Sequence, residues 1–276
     1  MSLSILNNIP SLAAQNQLSI TGSSLQKTLF RLSSGSRINS GADDAAGLSI
    51  ADGLRANVTA LTQSSRNAAD GIGMLQVADG ALAQVTNLLN RAVTLATESA
   101  NGTMNTDQRT ALDTEFQAIV DEIDRIGTDT KFNGNAVFGS TGNVVVTDGT
   151  GTPSTISVDV AALAAATVGK TPVDLSGDGL DSDTNATTAL GDITDAIAQV
   201  AAQRGDLGAT MNRLQSATTV INAQVQNLTA AEDGIRAADI AQEVANMTKF
   251  NILNQTGISA LAQANQMQQS VLTLLR

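Results

Sequence analysis

The sequence contains no histidine, cysteine, tryptophan or tyrosine. Without imidazole or thiol groups, the usual nucleophile and base pairs and the usual zinc sites cannot be built. Five phenylalanines are the only aromatic residues, so the 42% hydrophobic fraction consists mostly of Ala, Val, Leu and Ile. This composition favours long helices over a core filled with aromatic side chains. Together with the carboxylate groups considered below, this leads us to expect no enzyme activity, no catalytic residues, no metal site and no cofactor.

Basic residues are scarce, because 15 Lys and Arg stand against 26 Asp and Glu and give a net charge of −11. An acidic chain without a basic patch is not expected to bind nucleic acid. No segment approaches the roughly 20 apolar residues that cross a bilayer. Residues 1–26 also lack the positive start of a secretory signal. We predict no membrane span and no Sec-type export.

Charge is nearly absent from the two chain ends. Residues 1–40 contain basic residues but no acid, and residues 240–276 carry only Glu243, Lys249 and Arg276 as charged residues. Since solvated helix faces normally carry charges, we predict that other protein surrounds these ends. The alternative for amphipathic ends is a secreted membrane-active helix, but such helices carry a polar face rich in Lys and Arg, which is missing here.

Heptad spacing is the strongest pattern in the sequence. From Ile240 onward, apolar and amide side chains recur at alternating steps of four and three residues, and a second apolar line runs beside the first. Leucines at seven-residue steps repeat the pattern near the start. A coiled coil within one monomer is the simpler alternative, but it would leave the second apolar line exposed to solvent. The predicted assembly interface consists of Leu18, Leu25, Leu29, Leu32, Ile240, Val244, Met247, Phe250, Leu253, Ile258, Leu261, Leu272 and Leu275.

Glycine and asparagine divide the remainder of the chain into helices. A first helix ends near Gly35, and a long helix follows that ends at the Asn-Gly pair 101–102. Asn105 or Thr106 caps a third helix. Helical spacing resumes at Leu190 and leads to the terminal helix.

The period changes to two between residues 140 and 190. Apolar residues alternate over 144–146 and 156–160, on either side of an Asp-Gly pair at 148–149, and this pattern predicts a β-hairpin. The segment is rich in Thr, Ser and Gly and contains no aromatic residue. We therefore expect it to contribute little to a core.

The predicted fold is mainly α, with long antiparallel helical hairpins, a coiled coil of paired terminal helices and a small β-hairpin tip. Three domains are expected. Residues 1–40 and 238–276 form a terminal coiled coil, residues 41–140 and 189–237 form a bundle of long helices, and residues 141–188 form the short β-hairpin and variable outer tip.

Two groups of carboxylates suggest chemistry at first sight. Four aspartates between residues 174 and 183 could supply oxygen ligands to calcium, but their spacing misses the EF-hand pattern, so a solvated acidic loop is predicted. Asp43 and Asp44 are adjacent, whereas hydrolytic carboxylates need separation across a cleft. These two are expected in the first turn of a helix.

Several stretches resemble one protein family, the bacterial flagellins. The similarity covers residues 1–138 and 190–276, whereas the middle is shorter than in flagellins with large outer domains. The stretches that carry the resemblance are Phe30–Ala51, residues 98–103, residues 131–135 and residues 261–276.

The resemblance implies a structural subunit that self-assembles helically into the flagellar filament for motility, with the paired terminal helices lining an inner tube. Flagellins leave the cell unfolded through the flagellar type III system, so a secreted protein of the bacterial flagellum is implied. The implied partners are other copies of the chain, the export apparatus and an export chaperone, the filament cap and the hook–filament junction proteins. A hook–filament junction protein, which shares the end motifs, is the nearest alternative.

Innate immune sensors are further implied partners. The flagellin contact with a vertebrate Toll-like receptor uses an Arg, a Leu and a Glu whose matching residues here are Arg91, Leu95 and Glu115. Residues 30–51 match the stretch that plant receptors perceive, and the final leucines match the part that inflammasome sensors recognise. The alternative for the first three residues is a surface ion pair beside a core leucine.

Overall fold

The structure, a computed structural model, describes residues 8–151 and 154–274, and their side chains except those at 269 and 271–274. Helices dominate the described part, which confirms the predicted mainly α fold. No helix within the described ranges combines the length and hydrophobicity that a bilayer crossing requires. The helices are α1 (Ile9–Ser34), α2 (Ala45–Ser99), α3 (Thr106–Asp129), α4 (Asp183–Arg236) and α5 (Ile240–Leu274).

The chain forms two compact units. The first unit consists of Met1–Arg55 and Leu228–Arg276 and therefore brings together the two ends of the sequence. The second unit consists of Ala56–Asn227.

Local sequence signals set the helix ends. The side chain of Asn8 accepts a hydrogen bond from the backbone N–H of Ser11 and caps α1, and Gly35 ends it in the left-handed conformation at φ 69°. Asp44 accepts from the N–H of Gly47 at 2.9 Å and caps α2. Asn105 and the third residue of α3 cap each other reciprocally. The predicted end of α1 near Gly35, the predicted start of α2 at Asp43 and Asp44 and the predicted cap of α3 at Asn105 are confirmed. Helix α4 begins at Asp183, seven residues before the predicted start at Leu190.

In the first unit, α1 packs against α5. The two helices are antiparallel, because Arg31 lies beside Glu243 at one end of the pair and Asn8 beside Ala264 at the other. The chain segments that lead into this pair are joined by backbone hydrogen bonds, as residue 35 accepts from residue 238 at 3.0 Å and residue 237 forms a β-bridge with residue 36. The terminal segments are thus held together where they leave the long helices.

In the second unit, α2 and α4 run antiparallel and α3 folds back along α2. A two-point ion pair joins Asp79 to Arg204, with N–O distances of 2.7 and 3.3 Å, and Ser65 donates to Asn222 further along. The core between the helices includes Leu75, Leu82, Leu89, Leu95, Phe116, Ile123, Ile193, Val200, Leu207 and Leu214.

Two antiparallel β-ribbons follow α3. Strands β1 (Lys131–Phe132) and β2 (Asn135–Ala136) enclose a turn in which Asn133 and Gly134 both have positive φ. Strands β3 (Thr141–Val145) and β4 (Thr155–Asp159) form the predicted hairpin, with Val144 opposite Ile156. The first ribbon was not predicted, although its Asn-Gly pair is a known hairpin signal.

The segment between β3 and α4 contradicts one expectation. It was expected to contribute little to a core, yet eight of its apolar side chains are buried: Ile156, Val158, Val160, Leu163, Ala165, Val168, Leu175 and Leu180. Side chains of the helices hold its backbone, since Ser99 donates to the carbonyl of Leu180, Asp113 accepts from the N–H of Leu180, and Gln203 donates to the carbonyl of Ala161. A few well-spaced apolar residues are therefore enough to bury this segment, because side chains of the helices form hydrogen bonds with the polar backbone around them.

Candidate assembly interface

The seam between α1 and α5 is made of small, amide and half-buried apolar side chains. Leu18 packs on Gly257, and a Cβ built on this glycine would lie 3.9 Å from the Leu18 Cβ. Thr21, Thr28 and Ala264 are buried along the same line. This seam does not use all of the apolar surface of either helix.

Two flanks of α5, one on each side of the seam, stay exposed. The first flank contains Ile240 and the residues Val244, Asn251, Ile258 and Asn265 at seven-residue steps. The second flank contains Leu253, Ala260 and Met267 at the same spacing. Ile258 is 53% exposed and Met267 is 56% exposed. Heptad lines of exposed apolar residues are the surface that a packed helix covers in a coiled coil.

Helix α1 also exposes apolar residues on the side away from α5. Ile9, Leu12, Ile20 and Phe30 have more than half of their surface in solvent, and Phe30 reaches 62%. The terminal pair therefore has apolar surface on several sides, which a stable soluble monomer normally avoids.

A cluster of four charged residues lies at one end of the seam. Arg31 contacts Glu243 through Nη1 and Oε1 at 3.3 Å and approaches Asp43 at 4.0 Å, and Lys27 contacts the same Asp43 oxygen at 2.6 Å. Hydrogen bonds from Lys27 and from the Asn39 backbone lower the pKa of Asp43 to about 2. Glu243 is only 7% exposed. This cluster was missed in the sequence, where Asp43 was expected only as part of a helix start; the available signal was a lone Glu on the seam of a helix that otherwise avoids acid.

Amide and hydroxyl groups close the other end of the seam. Asn8 donates to the backbone carbonyl of Ala264 at 3.2 Å, and Ser11 donates to the side chain of Asn265 at 3.0 Å. These contacts are exposed or partly exposed, so water competes for them and each contributes little stability.

The predicted interface residues divide between the seam and the flanks. Leu18, Leu25, Leu32, Met247, Phe250 and Leu261 are half-buried in the first unit, whereas Leu29, Ile240, Val244, Leu253 and Ile258 are exposed. Leu275 lies outside the described residues, as does the side chain of Leu272. The first group supports pairing within the chain, and the second group is available to a partner.

The residues matched to the Toll-like receptor contact lie in the second unit. Arg91 and Glu115 form a two-point ion pair, with distances of 2.7 Å from Nε and 3.0 Å from Nη2, and both side chains are about half exposed. The Arg91 guanidinium holds the pKa of Glu115 below its usual range. Leu95 is 0% exposed and packs in the core. The structure thus brings the two charges together at the surface and places the leucine beneath them.

The acidic loop does not gather its carboxylates around a common point. No group of three metal-ligating side chains is found within residues 8–151 and 154–274. Asp174 accepts from Ser176, and Asp181 accepts from Asn185. Burial, with the nearby charges of Asp192 and Asp174, raises the pKa of Asp178 to about 6.

Two family descriptions match most of the chain. The bacterial flagellin N-terminal helical region matches residues 5–143, and the bacterial flagellin C-terminal helical region matches residues 190–275. The first matched region includes α1, α2 and α3, and the second includes α5 and most of α4. The segment between the two matches contains β4 and the buried residues that precede α4.

Full-length relatives share about two fifths of the sequence. The flagellar filament 33 kDa core protein of Treponema phagedenis is 38% identical over 284 residues, with 99% of each chain covered. The flagellins of Halalkalibacterium halodurans and Bacillus subtilis are each 38% identical, again over 99% of both chains. These relatives are structural proteins rather than enzymes.

Solved structures share the fold. The crystal structure of Bacillus cereus flagellin is 29% identical, has a TM-score of 0.50, and covers 60% of this chain and 94% of its own. A flagellar hook-associated protein from Vibrio parahaemolyticus has a TM-score of 0.54 over 71% of this chain and 100% of its own, but at 18% identity it supports the fold alone. Taken with the full-length matches, the chain belongs to the bacterial flagellin family and is a structural subunit of the flagellar filament.

Proposed function

We propose that the two exposed flanks of α5 and the outer side of α1 are the surfaces through which copies of this chain pack in the filament. The observation that carries the proposal is the heptad exposure of Val244, Asn251, Ile258 and Asn265 beside a seam already filled by α1. A helix from a neighbouring copy would bury the apolar members and pair with the amides.

Folding of the ends is deferred to assembly in this proposal. Burying apolar surface supplies about 25 cal/mol per Å², and the α1–α5 seam alone uses half-buried, small and amide residues. The charge cluster at Arg31 and the bridge between Ser36 and Ala237 join the two terminal segments at one end of the first unit. Neighbouring copies add the burial that the ends lack, so ordering and polymerisation become one coupled step.

Several partners follow from deferred folding. A chain whose ends are not stably folded alone suits export in an unfolded state through the flagellar type III apparatus, and its apolar flanks suit a chaperone before export. The filament cap and the hook–filament junction proteins would meet the same terminal surfaces as a neighbouring copy does. These partners are proposed from the exposed flanks and from the family. The division of the chain into three domains, with boundaries at residues 40, 140, 188 and 238, is likewise a proposal.

Immune sensors are a second proposed class of partner. The surface ion pair of Arg91 and Glu115 presents one charge of each sign, and hydrogen-bonded charge pairs are common anchors in protein interfaces. Because Leu95 is buried, its proposed part is to support the helix surface beneath Arg91. Residues 30–51 remain the proposed plant-receptor stretch, and the terminal leucines the proposed inflammasome stretch.

Seeded polymerisation tests the assembly proposal. Purified monomer is mixed with short filament seeds and observed by electron microscopy, while amide hydrogen exchange is followed at Leu25 and Leu261. We expect fast exchange in the monomer, strong protection in filaments, and growth from the seeds. Strong protection of both amides in the monomer would contradict deferred folding, and absence of growth would contradict self-assembly.

A further inference from the structure

A seam of heptad repeats does not by itself define which residues face each other. Shifting α5 by seven residues relative to α1 would again place an apolar, small or amide side chain opposite each seam residue of α1, because Phe250, Gly257 and Ala264 share one line of the helix. The same shift would move the flanks by about 10 Å along the pair. Copies with different registers would present different surfaces to their neighbours.

The charged cluster distinguishes the registers. In the observed register Arg31 lies between Glu243 and Asp43. After a shift by seven residues in one direction Arg31 would face Phe250, and Glu243 would lose its ion pair with Arg31. A buried charge without a partner is strongly destabilising, whereas replacing a whole buried ion pair with apolar residues is often neutral in stability. The cluster therefore suits a role in specificity more than one in stability.

The charged cluster also lies where pairing of α1 with α5 can begin. It ties together α1, the linker residue Asp43 and the first turn of α5, and the backbone bridge between Ser36 and Ala237 lies beside it. Among the described residues, the far end of the seam has the exposed or partly exposed contacts of Asn8 and Ser11. The described ion pairs and the backbone bridge of the terminal segments therefore lie at the end of the seam where α5 begins.

We propose that Arg31, with Glu243 and Asp43, is a register-setting residue: pairing of the terminal helices starts at this cluster, which excludes heptad-shifted alternatives, so every copy presents the same flanks. The inference rests on the proposed assembly through those flanks. It assigns Arg31 a positioning role within the chain rather than a contact with a neighbour.

Cysteine pairs can report the register, because the natural chain has no cysteine. Leu18→Cys with Gly257→Cys reports the observed register, as the Cβ separation of 3.9 Å is within the range for a disulfide. Leu18→Cys with Phe250→Cys or Ala264→Cys reports a shift by one heptad in either direction. Each pair is oxidised in filaments and in the monomer fraction, and the products are quantified by mass spectrometry.

The reporters are then combined with Arg31→Met and Glu243→Leu together. With the charged cluster intact, we expect the 18–257 disulfide almost alone. With both residues replaced, we expect the yield of the 18–250 or 18–264 disulfide, relative to the 18–257 disulfide, to rise at least about tenfold. Arg31→Lys, which keeps the charge, should retain the parental pattern, and so should Lys249→Met, which removes an exposed cation from α5.

The outcomes separate this inference from the assembly proposal. A parental yield of the 18–257 disulfide alone in the double replacement, in either fraction, would overturn the register role of Arg31. Loss of that product together with a gain of the shifted products supports it, whereas loss without any shifted product would also overturn it, since unpairing alone would give that result. Sedimentation of the parent reporter protein tests polymerisation in the same samples, so failure of assembly is recognised independently of the disulfide pattern.

Discussion

Gly127 of α3 lies directly against the backbone carbonyl oxygen of Leu163, so close that a Cβ at position 127 would overlap that oxygen. Gly127 is itself buried. Nearby, the carboxylate of Asp124 accepts a hydrogen bond from the N–H of Ala165. The segment before α4 therefore packs closely on α3, because Gly127 has no side chain in the way and the Asp124 carboxylate, one helical turn earlier, binds the segment's backbone.

Gly127→Ala is expected to destabilise the second unit, because the added methyl group would push the segment away from α3. Overpacking of this kind costs about 1–3 kcal/mol. Chemical unfolding of the monomer, followed by circular dichroism, measures the change. Gly205→Ala in α4 is the matched control, since a Cβ there meets nothing within 4 Å; it should stabilise by about 0.5–1 kcal/mol. Equal effects of the two variants would contradict the close contact.

Replacing residues 141–188 with a short Gly-Ser turn is expected to destabilise the second unit strongly. The replacement removes buried residues such as Val158 and Leu180 and leaves the helix side chains that hold this backbone, including Asp113, without partners. Thermal unfolding of the purified monomer is the measurement. Shortening only the exposed tip at 149–151 should change stability little. A deletion variant that unfolds at the parental temperature would restore the expectation that this segment contributes little to the core.

Asp178→Asn is expected to stabilise the protein at pH 7 but not at pH 4. The pKa of Asp178 is raised from 3.8 to about 6 in the folded chain, and one of its oxygens is buried without a hydrogen-bond partner. Between these two values the folded state holds more protons than the unfolded state, so stability falls as pH rises through the window. Melting temperatures across pH 4–7 test this, with the exposed Asp195→Asn as control. A gain that is the same at both pH values would refute the explanation.

Arg91→Ala is expected to lower activation of the flagellin-sensing Toll-like receptor by at least about tenfold, because removing a charged anchor from an interface commonly costs more than 1.4 kcal/mol. Receptor reporter cells exposed to purified monomer give the readout. Arg125→Ala is the control, as Arg125 is an exposed arginine that pairs with Glu122 on α3. Unchanged activation by the Arg91 variant would show that this ion pair is not a contact site.

The sequence contained enough information for the helices and for most of their ends, because heptad spacing, Asn105 and Gly35 act locally. It also predicted that the chain ends carry more apolar surface than one pairing covers, and the exposure of Ile258 and Leu253 agrees. Whether neighbouring copies cover these residues remains a prediction.

Other features depend on contacts between distant residues. Leu180 is buried where Ser99 of α2 and Asp113 of α3 hydrogen-bond its backbone, whereas composition alone indicated that this polar segment contributes little to a core. The Arg31–Glu243 pair joins residues 212 positions apart. No local pattern specifies such a partner, although a lone glutamate on an uncharged seam was a usable signal.

The most direct test of the central claim is elongation of filament seeds by an Ile258→Asp monomer. Ile258 is exposed beside the α1–α5 seam, so the substitution should leave that seam intact, whereas Leu261→Asp would disturb the half-buried seam as well as the flank. In a filament, each copy would bury an unpaired carboxylate at a cost of several kcal/mol. We predict parental helical circular dichroism and no elongation, while Ile258→Val elongates normally. Elongation of the Asp variant at the parental rate would contradict the claim that this flank is an assembly interface.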